Sequence, residues 1–315
     1  MDGRLLKGSA FAMLCVIWGS TWLAIKIGLE GAPAFLAASL RFVLASLTLL
    51  GLAALAGSRL PRTRADWSLV AFVGVVLFTA DYGLIYWGEN NGVESGLSAI
   101  LFATMPLQTA LAAHALIPKE RLGVRKIGGI ALGFAGILII FRGQLATAGP
   151  EKLFPMLAIV LSAACAAVST VAMKRWGATI DPFSFNGFAM GIGAVGLATA
   201  SLAVGEAWAV PSWPEGVLAI LYLALAGSVV TFAAYLWLLR TVEATYMSFI
   251  ALVTPIVAVL LGVSVGSESF DPLVLAGGAV TLVGIYISTT RRAASRRGTA
   301  ESPRPAAGDP PGSAP

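Results

Sequence analysis

Apolar residues dominate ten stretches of this chain, and polar residues are concentrated in the short segments between them. The stretches are residues 8–28, 33–56, 67–88, 93–117, 124–142, 153–174, 183–205, 216–239, 244–266 and 272–290. Each is close to the length of about 20 residues that a helix needs to cross the hydrocarbon core of a bilayer. The separators carry glycine, proline and charged residues, and none is long enough for a soluble domain. The pattern predicts an all-α membrane protein with ten transmembrane helices.

Composition supports this prediction and excludes several classes of partner. Hydrophobic residues make up 57% of the chain and charged residues 12%, whereas a soluble domain carries about 25% charge. The net charge of +5 does not indicate nucleic-acid binding, because the charges lie between the apolar stretches. Cys15 and Cys165 lie inside apolar stretches and are expected to be small buried hydrophobes. We therefore expect the lipid bilayer as a partner, no nucleic acid, and neither a metal nor a cofactor.

The two halves of the chain are copies of one unit. The correspondence is clearest between residues 94–129 and 243–277, with an offset of 149 residues that becomes 148 after one deleted position. Matched pairs are Tyr86/Tyr235, Glu94/Glu243, Pro106/Pro255, Glu120/Glu268, Gly129/Gly277, Gly136/Gly284 and Lys26/Lys174. Each repeat holds five spans, at 8–142 and 153–290, so the second must enter the bilayer inverted. Inverted repeats are typical of secondary transporters, which bind substrate near the midplane between the halves.

Basic residues predict the orientation. With the N-terminus inside, 17 of the 21 Lys and Arg residues lie in inner segments, and only Lys26, Arg41, Arg142 and Lys152 do not. We predict a multi-pass protein of the plasma membrane with both termini in the cytoplasm. The first apolar run is long for a signal peptide and is interpreted as a retained span. The tail at 291–315 is rich in Arg, Pro, Gly and Ala, and is expected to be disordered.

Several motifs resemble those of the drug/metabolite transporter superfamily, in particular its proteins with two EamA-type repeats. They are Trp18-Gly19-Ser20-Thr21-Trp22, Leu40-Arg41-Phe42, Thr104-Met105-Pro106, Val253-Thr254-Pro255, and Glu120-Arg121-Leu122 with Gly129. The chain departs from the family pattern at Pro118-Lys119 and Ser269-Phe270, both in loops. The resemblance covers about 8–290. It implies a ten-helix bundle that moves small organic solutes, often outward, without identifying the solute.

Arg41 and Asp81 are the charged residues placed deepest in the predicted spans. Arg41 lies eight residues into its span, at a depth of roughly 12 Å. A charge at that depth is expected to face the bundle interior, either as a clamp for an anionic substrate or in a structural pair. Asp81 is a possible proton site in a transport cycle, or it simply neutralises Arg41. Both alternatives remain open for each residue.

Aromatic and proline residues supply the remaining candidates for the substrate cavity. They are Trp18, Trp22, Tyr82, Tyr86, Tyr235, Pro106 and Pro255. The rings could line a cavity or simply pack. The two prolines occupy equivalent positions in spans four and nine, where each frees a carbonyl and could act as a hinge or as a structural kink.

Carboxylates near span ends have simpler interpretations. Glu94 and Glu243 begin spans four and nine, where a carboxylate could cap the helix or act in gating. Glu89 lies in an outer hairpin with Asn90 and Asn91 and is expected to be a solvated turn residue. The stripes Gly129-x-x-x-Gly133 and Gly187-x-x-x-Gly191 allow close helix contacts, either within one molecule or in a homodimer. Spans five and ten are assigned to scaffolding or dimer contacts.

Three rival functions find no support in the sequence. An intramembrane enzyme would need a nucleophile or metal motif, and neither H-E-x-x-H nor a paired acidic motif occurs; an ATP-driven pump would need a phosphate-binding loop. A channel would favour a filter loop, which is also not seen. We predict a non-enzymatic secondary transporter that exports a small organic metabolite, such as an amino acid or drug-like solute, by alternating access. A membrane channel, or a structural membrane protein without carrier activity, is the alternative.

Overall fold

A computed structural model describes residues 3–117, 122–147, 149–177, 180–241 and 250–289. Helices occupy nearly all of these residues. They are α1 (Gly3–Gly31), α2 (Ala34–Leu55), α3 (Arg64–Asn90), α4 (Ser95–Leu116), α5 (Val124–Thr147), α6 (Leu153–Trp176), α7 (Pro182–Ala203), α8 (Glu215–Ala224, Leu225–Val230 and Thr231–Thr241), α9 (Ile250–Ser264) and α10 (Pro272–Thr289).

Within the described ranges, nine of these helices are long and apolar enough to cross a bilayer, and α9 is a shorter apolar helix. The fold is therefore the predicted ten-helix membrane protein. Large apolar side chains such as Leu47 (64% exposed) and Leu138 (71% exposed) lie on the outside of the bundle, as a lipid-facing surface requires. Glu243 and the tail at 291–315 lie outside the described residues.

Two of the helices contain a π-helical turn at equivalent positions of the two repeats. In α3 it spans Gly74–Asp81, and in α8 it spans Leu225–Val230. Inserted π turns of this kind occur frequently at functional sites, because they change the direction in which side chains leave the helix. Asp81 lies at the end of the first π turn and Ser228 lies within the second.

The repeats pack against each other with approximate two-fold symmetry. Between α2 and α7, the hydroxyl of Ser39 donates to the carbonyl oxygen of Ala194 at 2.9 Å, and that of Ser46 donates to the carbonyl oxygen of Gly187 at 2.7 Å. Adding 148 to 39 gives 187, and adding it to 46 gives 194. Each contact is thus the image of the other, and the two helices run in opposite directions. This exchange is what two inverted repeats produce.

The same exchange holds between α5 and α10, where glycines replace the serines. A Cβ placed on Gly129 would lie 2.7 Å from the carbonyl oxygen of Gly284, and one on Gly136 would lie 2.5 Å from that of Gly277. The backbones touch because these positions have no side chains. The Gly129 stripe therefore serves packing within one molecule. The Gly187 stripe does so as well, since Gly187 and Gly191 lie against Leu50 and Ser46 of α2.

We expect Gly136→Ala to destabilise the protein, because the added methyl would overlap the backbone of α10. Overpacking of this kind costs about 1–3 kcal/mol. The matched control is Gly128→Ala: this glycine is also in α5, but a Cβ there would meet no atom within 4 Å, so the helix should tolerate it or gain slightly. Thermal unfolding of the purified protein in detergent measures the difference. Equal melting temperatures for the two variants would contradict the proposed close contact.

Candidate functional site

Arg41 lies in the interior of the bundle at the junction of the repeats. Its side chain is 2% exposed. The Nε and Nη2 atoms both lie 3.4 Å from Oγ of Ser228 in α8, which is long for a hydrogen bond. The Cζ atom lies 4.9 Å from the ring centroid of Tyr82 and 5.2 Å from that of Phe42. These rings stabilise the cation, while Nη1 has no hydrogen-bond partner among the described residues.

Asp81 is buried at the end of the π turn of α3, directly before Tyr82. Its side chain is 1% exposed, and Oδ1 lacks a hydrogen-bond partner among the described residues. The hydroxyl of Ser162 in α6 lies beside it, and Arg41 is within electrostatic range. Both charged residues are described, yet no salt bridge within 4.0 Å joins them. Direct pairing with Asp81 therefore does not account for Arg41.

Two tyrosines complete what we call the central polar cluster, defined as Arg41, Asp81, Tyr82, Tyr86, Ser162 and Ser228. Tyr86 is 1% exposed, and its hydroxyl lies close to Arg41 but makes no hydrogen bond of normal geometry in the described part of the chain. Buried polar groups are nearly always hydrogen-bonded, so each exception requires an explanation. Asp81 and Tyr86 both lie within electrostatic range of Arg41. Three polar groups without hydrogen bonds of normal geometry, gathered around one guanidinium, are the arrangement expected of a site that binds a polar ligand or water.

The other predicted aromatic residues form separate contacts. Trp18 packs against Tyr235, with ring centroids 5.5 Å apart, in an apolar cluster built around Leu14 and Leu238. Trp22 packs against Phe102 of α4 at 5.3 Å. Both pairs join α1 to another span, one in each repeat. Neither pair includes a residue of the central polar cluster.

The two prolines differ in their local structure. The helix α4 is interrupted between Phe102 and Met105, and Pro106 lies in the first turn of its second half, where a missing N–H costs nothing. The amide of Gln108 bridges this break by donating to Thr104 and to the carbonyl oxygen of Val160 in α6. Pro255 is buried inside the continuous helix α9. Their role as hinges remains a prediction.

A second polar cluster closes one end of the bundle around Glu268, in the loop before α10. Its Oε1 atom accepts from Nζ of Lys26 at 2.9 Å, from the backbone N–H of Ser95 at 2.9 Å and from the Ser95 hydroxyl at 2.8 Å. Its Oε2 atom accepts from the N–H of Gly96 at 3.1 Å. We call this set of four residues the Glu268 bridge. It joins α1 and α4 of the first repeat to the second repeat.

The Glu268 bridge corrects the expectation that Glu94 caps α4. Glu94 does occupy the N-cap position, but its side chain makes no capping hydrogen bond, and the carboxylate at this helix end belongs to Glu268. Burial raises the pKa of Glu94. Burial alone would also raise the pKa of Glu268, but hydrogen bonds from Lys26, Ser95 and Gly96 outweigh it and leave that pKa below its usual value. Of the two, Glu268 is thus the carboxylate whose charged form these hydrogen bonds stabilise.

Glu206 makes an equivalent contact at the start of α2. Its two carboxylate oxygens accept from the backbone N–H groups of Phe35 at 3.0 Å and Leu36 at 2.9 Å, and Oε2 also accepts from the Ser201 hydroxyl. A carboxylate is favoured at a helix N-terminus, where N–H groups have no partner within the helix. The second repeat therefore supplies acidic caps to two helices of the first.

These features define a class of protein. Two inverted five-helix repeats, with charged side chains buried where they meet, form the architecture of a membrane transporter. The model of the EamA-like transporter family matches residues 6–142 and 153–290. The chain belongs to this family, which confirms the resemblance seen in its motifs.

Related proteins carry transporter names as well. YedA of Escherichia coli (strain K12), described as an uncharacterized inner membrane transporter, is 35% identical over 272 residues, or 85% of each chain. YoaV of Bacillus subtilis, an uncharacterized transporter, is 24% identical over 87% of this chain and 93% of its own length. A solved crystal structure matches 89% of this chain and 97% of its own with a TM-score of 0.64 at 20% identity, which shows the fold alone.

Proposed function

We propose that this protein is a secondary transporter that exports a small organic metabolite by alternating access. The observation that carries the proposal is the central polar cluster. An unpaired charge within a bilayer is costly, so Arg41 and Asp81 would be retained with unused hydrogen-bonding groups only if a ligand satisfies them during the cycle. A guanidinium with a free Nη1 atom fits a carboxylate, and Oδ1 of Asp81 fits an amine or hydroxyl. An amino acid or a similar small zwitterion has both groups.

Alternating access requires the repeats to separate at one end while they stay closed at the other. The Glu268 bridge and the Glu206 cap support closure at the end that carries Lys26. Arg41 and Asp81, at 2% and 1% exposure, have almost no contact with solvent in this conformation. Opening would break contacts between the repeats, while the antiparallel pairs α2–α7 and α5–α10 could hold them together. A homodimer is compatible with this cycle and is not required by it.

Counterflow into liposomes tests the proposal. The purified protein is reconstituted into vesicles preloaded with one unlabelled solute at high concentration, and uptake of the same labelled solute is followed over a panel of amino acids, sugars and cationic drugs. A carrier gives a transient overshoot that saturates with external solute. Flux without saturation or overshoot would instead indicate a channel, and no flux of any solute would argue against carrier activity.

The orientation is a separate proposal with its own test. We propose that the protein lies in the plasma membrane with both termini in the cytoplasm. The reason is that most basic residues lie in the segments that this orientation places on the cytoplasmic side. Reporter fusions after Glu151, between the repeats, and after Arg296, in the tail, should report opposite sides of the membrane. Reporters on the same side would contradict inverted repeats with five spans each.

A further inference from the structure

Among the charged residues of the described chain, Glu89 has the environment that differs most from the one predicted from the sequence. It was expected to be a solvated turn residue, but it lies in the last turn of α3 and is only 7% exposed. Gly88 beside it packs so closely on α6 that a Cβ there would lie 2.6 Å from Cδ1 of Ile159. Gly92 then reverses the chain with a φ of +86°. The tight turn lays α4 over the carboxylate and excludes water from it.

The hydroxyl of Ser98 in α4 lies beside the Glu89 carboxylate, but among the described residues neither carboxylate oxygen, nor that hydroxyl, makes a hydrogen bond of normal geometry. Glu268 contrasts with it, because its oxygens accept four hydrogen bonds. A buried carboxylate that lacks such hydrogen bonds is strongly unfavourable as a bare anion. The Glu89 carboxylate therefore needs a bound positive charge for at least part of the transport cycle.

The charged and titratable groups around Glu89 limit which positive charge can neutralise its carboxylate. From α1 it faces Lys26, from the loop before α10 it faces Glu268, and on its own helix Tyr86 lies one turn away. From α4 it faces Ser98. The part of α6 against which Gly88 packs carries no acidic or basic side chain. Asp81 lies about two turns deeper on the same helix, and Tyr86 is within electrostatic range of both Glu89 and Arg41. Since Lys26 is already bound to Glu268, it does not neutralise both carboxylates at once.

We propose that Glu89 is the site that carries the coupling proton of this transporter. The inference rests on the proposed carrier function. In the conformation open at the Glu268 end, the carboxylate takes up one proton from the aqueous phase and becomes a carboxylic acid. In the conformation open at the opposite end, it releases that proton, so one proton enters for each exported solute. When Glu89 is ionised it competes with Glu268 for Lys26, which links its protonation state to the Glu268 bridge.

Infrared difference spectroscopy tests the proton site without a substrate. Spectra of the full-length protein in lipid are recorded between acidic and alkaline pH, and the carbonyl band of the protonated carboxyl is followed. We expect Glu89→Gln to remove a band that the matched control Glu94→Gln retains. A band that persists in Glu89→Gln and disappears in Asp81→Asn would overturn the assignment to Glu89. Because no solute is involved, this result is independent of whether carrier activity is found.

Proteoliposomes then test the coupling, using whichever amino acid, sugar or drug gives the strongest wild-type counterflow. Glu89→Gln should lose accumulation driven by a pH gradient but keep counterflow, which needs no net proton movement. Glu89→Asp retains a titratable group and should keep gradient-driven accumulation. The proposal is overturned if a sodium gradient drives the wild type in place of a pH gradient. Equal loss of counterflow and accumulation in a folded Glu89→Gln protein would also overturn it, because it would place Glu89 in solute binding.

Discussion

Arg41→Met should reduce counterflow of a carboxylate-bearing solute by about 100-fold or more. The estimate assumes the loss of two charge-assisted hydrogen bonds, which contribute about 1.5–3 kcal/mol each. Methionine fills similar space and can still pack against Tyr82 and Phe42, so the variant removes the charge with little change in volume. Arg41→Lys should recover only part of the activity, since lysine cannot present two parallel donors while stacking on a ring.

The measurement must separate substrate binding from folding. Concentration-dependent counterflow is compared with the amount of monodisperse protein after size-exclusion chromatography. The matched control is Arg142→Met, which removes an exposed arginine at the end of α5 and should leave the apparent affinity unchanged. If Arg41→Met lowers only the yield, and the folded fraction binds solute with normal affinity, then Arg41 has a structural role. That result would contradict the proposal that its guanidinium binds the carboxylate of the solute.

Asp81→Asn combined with Arg41→Met tests whether these two residues are energetically coupled. The two side chains do not form a salt bridge, but they lie within electrostatic range in a nearly dry interior. Losses in the double variant should therefore depart from additivity, by about 1 kcal/mol. Strict additivity would show that the two residues act independently.

Much of this architecture could be predicted from the sequence, because in a membrane the length of an apolar run is enough to predict a helix. Backbone groups in hydrocarbon must be satisfied within each segment, so apolar runs of sufficient length become helices whatever surrounds them. The burial of Arg41 followed from its depth alone. The inverted arrangement followed from an odd number of spans in each repeat, and the contacts of Ser39 and Ser46 reproduce it.

The ends of the bundle could not be predicted in this way. Because carboxylates are favoured at helix N-termini, the sequence predicts one at the start of α4. The structure does place a carboxylate there, but it belongs to Glu268, which is 173 positions from Ser95. No local pattern connects them. Glu89 was missed for the same reason: hairpin composition predicted exposure, whereas packing of Gly88 against Ile159 buries it. Contacts between repeats decide both cases.

The Glu268 bridge should control opening at its end of the bundle. We expect Glu268→Gln to expose the interior, because the amide cannot pair with Lys26 and is a weaker acceptor for the N–H groups of Ser95 and Gly96. Breaking the bridge should cost the closed state about 2 kcal/mol, less than a fully buried pair, since the Lys26 side chain is 33% exposed. That corresponds to roughly 30-fold more of the open state.

Cysteine labelling measures this opening. Thr21, which is 9% exposed and lies against Gly227 in the interior, is replaced by cysteine after Cys15 and Cys165 have been removed. A membrane-impermeant thiol reagent added from the Glu268 side should label Thr21→Cys faster in the Glu268→Gln background. Lys26→Met should accelerate labelling less, because Ser95 and Gly96 still donate to the carboxylate. Glu94→Gln is the matched control, and equal acceleration there would contradict the assignment.

The pH dependence of stability gives an independent check of the bridge. Because the folded-state pKa of Glu268 lies below the ordinary carboxyl value of 4.5, its contribution to stability should be fully present above that pH. It should disappear as the pH falls below 4.5 and through the folded-state pKa, where the carboxylate is protonated. The melting temperature of the wild type should therefore exceed that of Glu268→Gln by a constant amount near neutral pH and converge with it in acid. A difference that persists unchanged in acid would show that Glu268 stabilises the bundle without its charge.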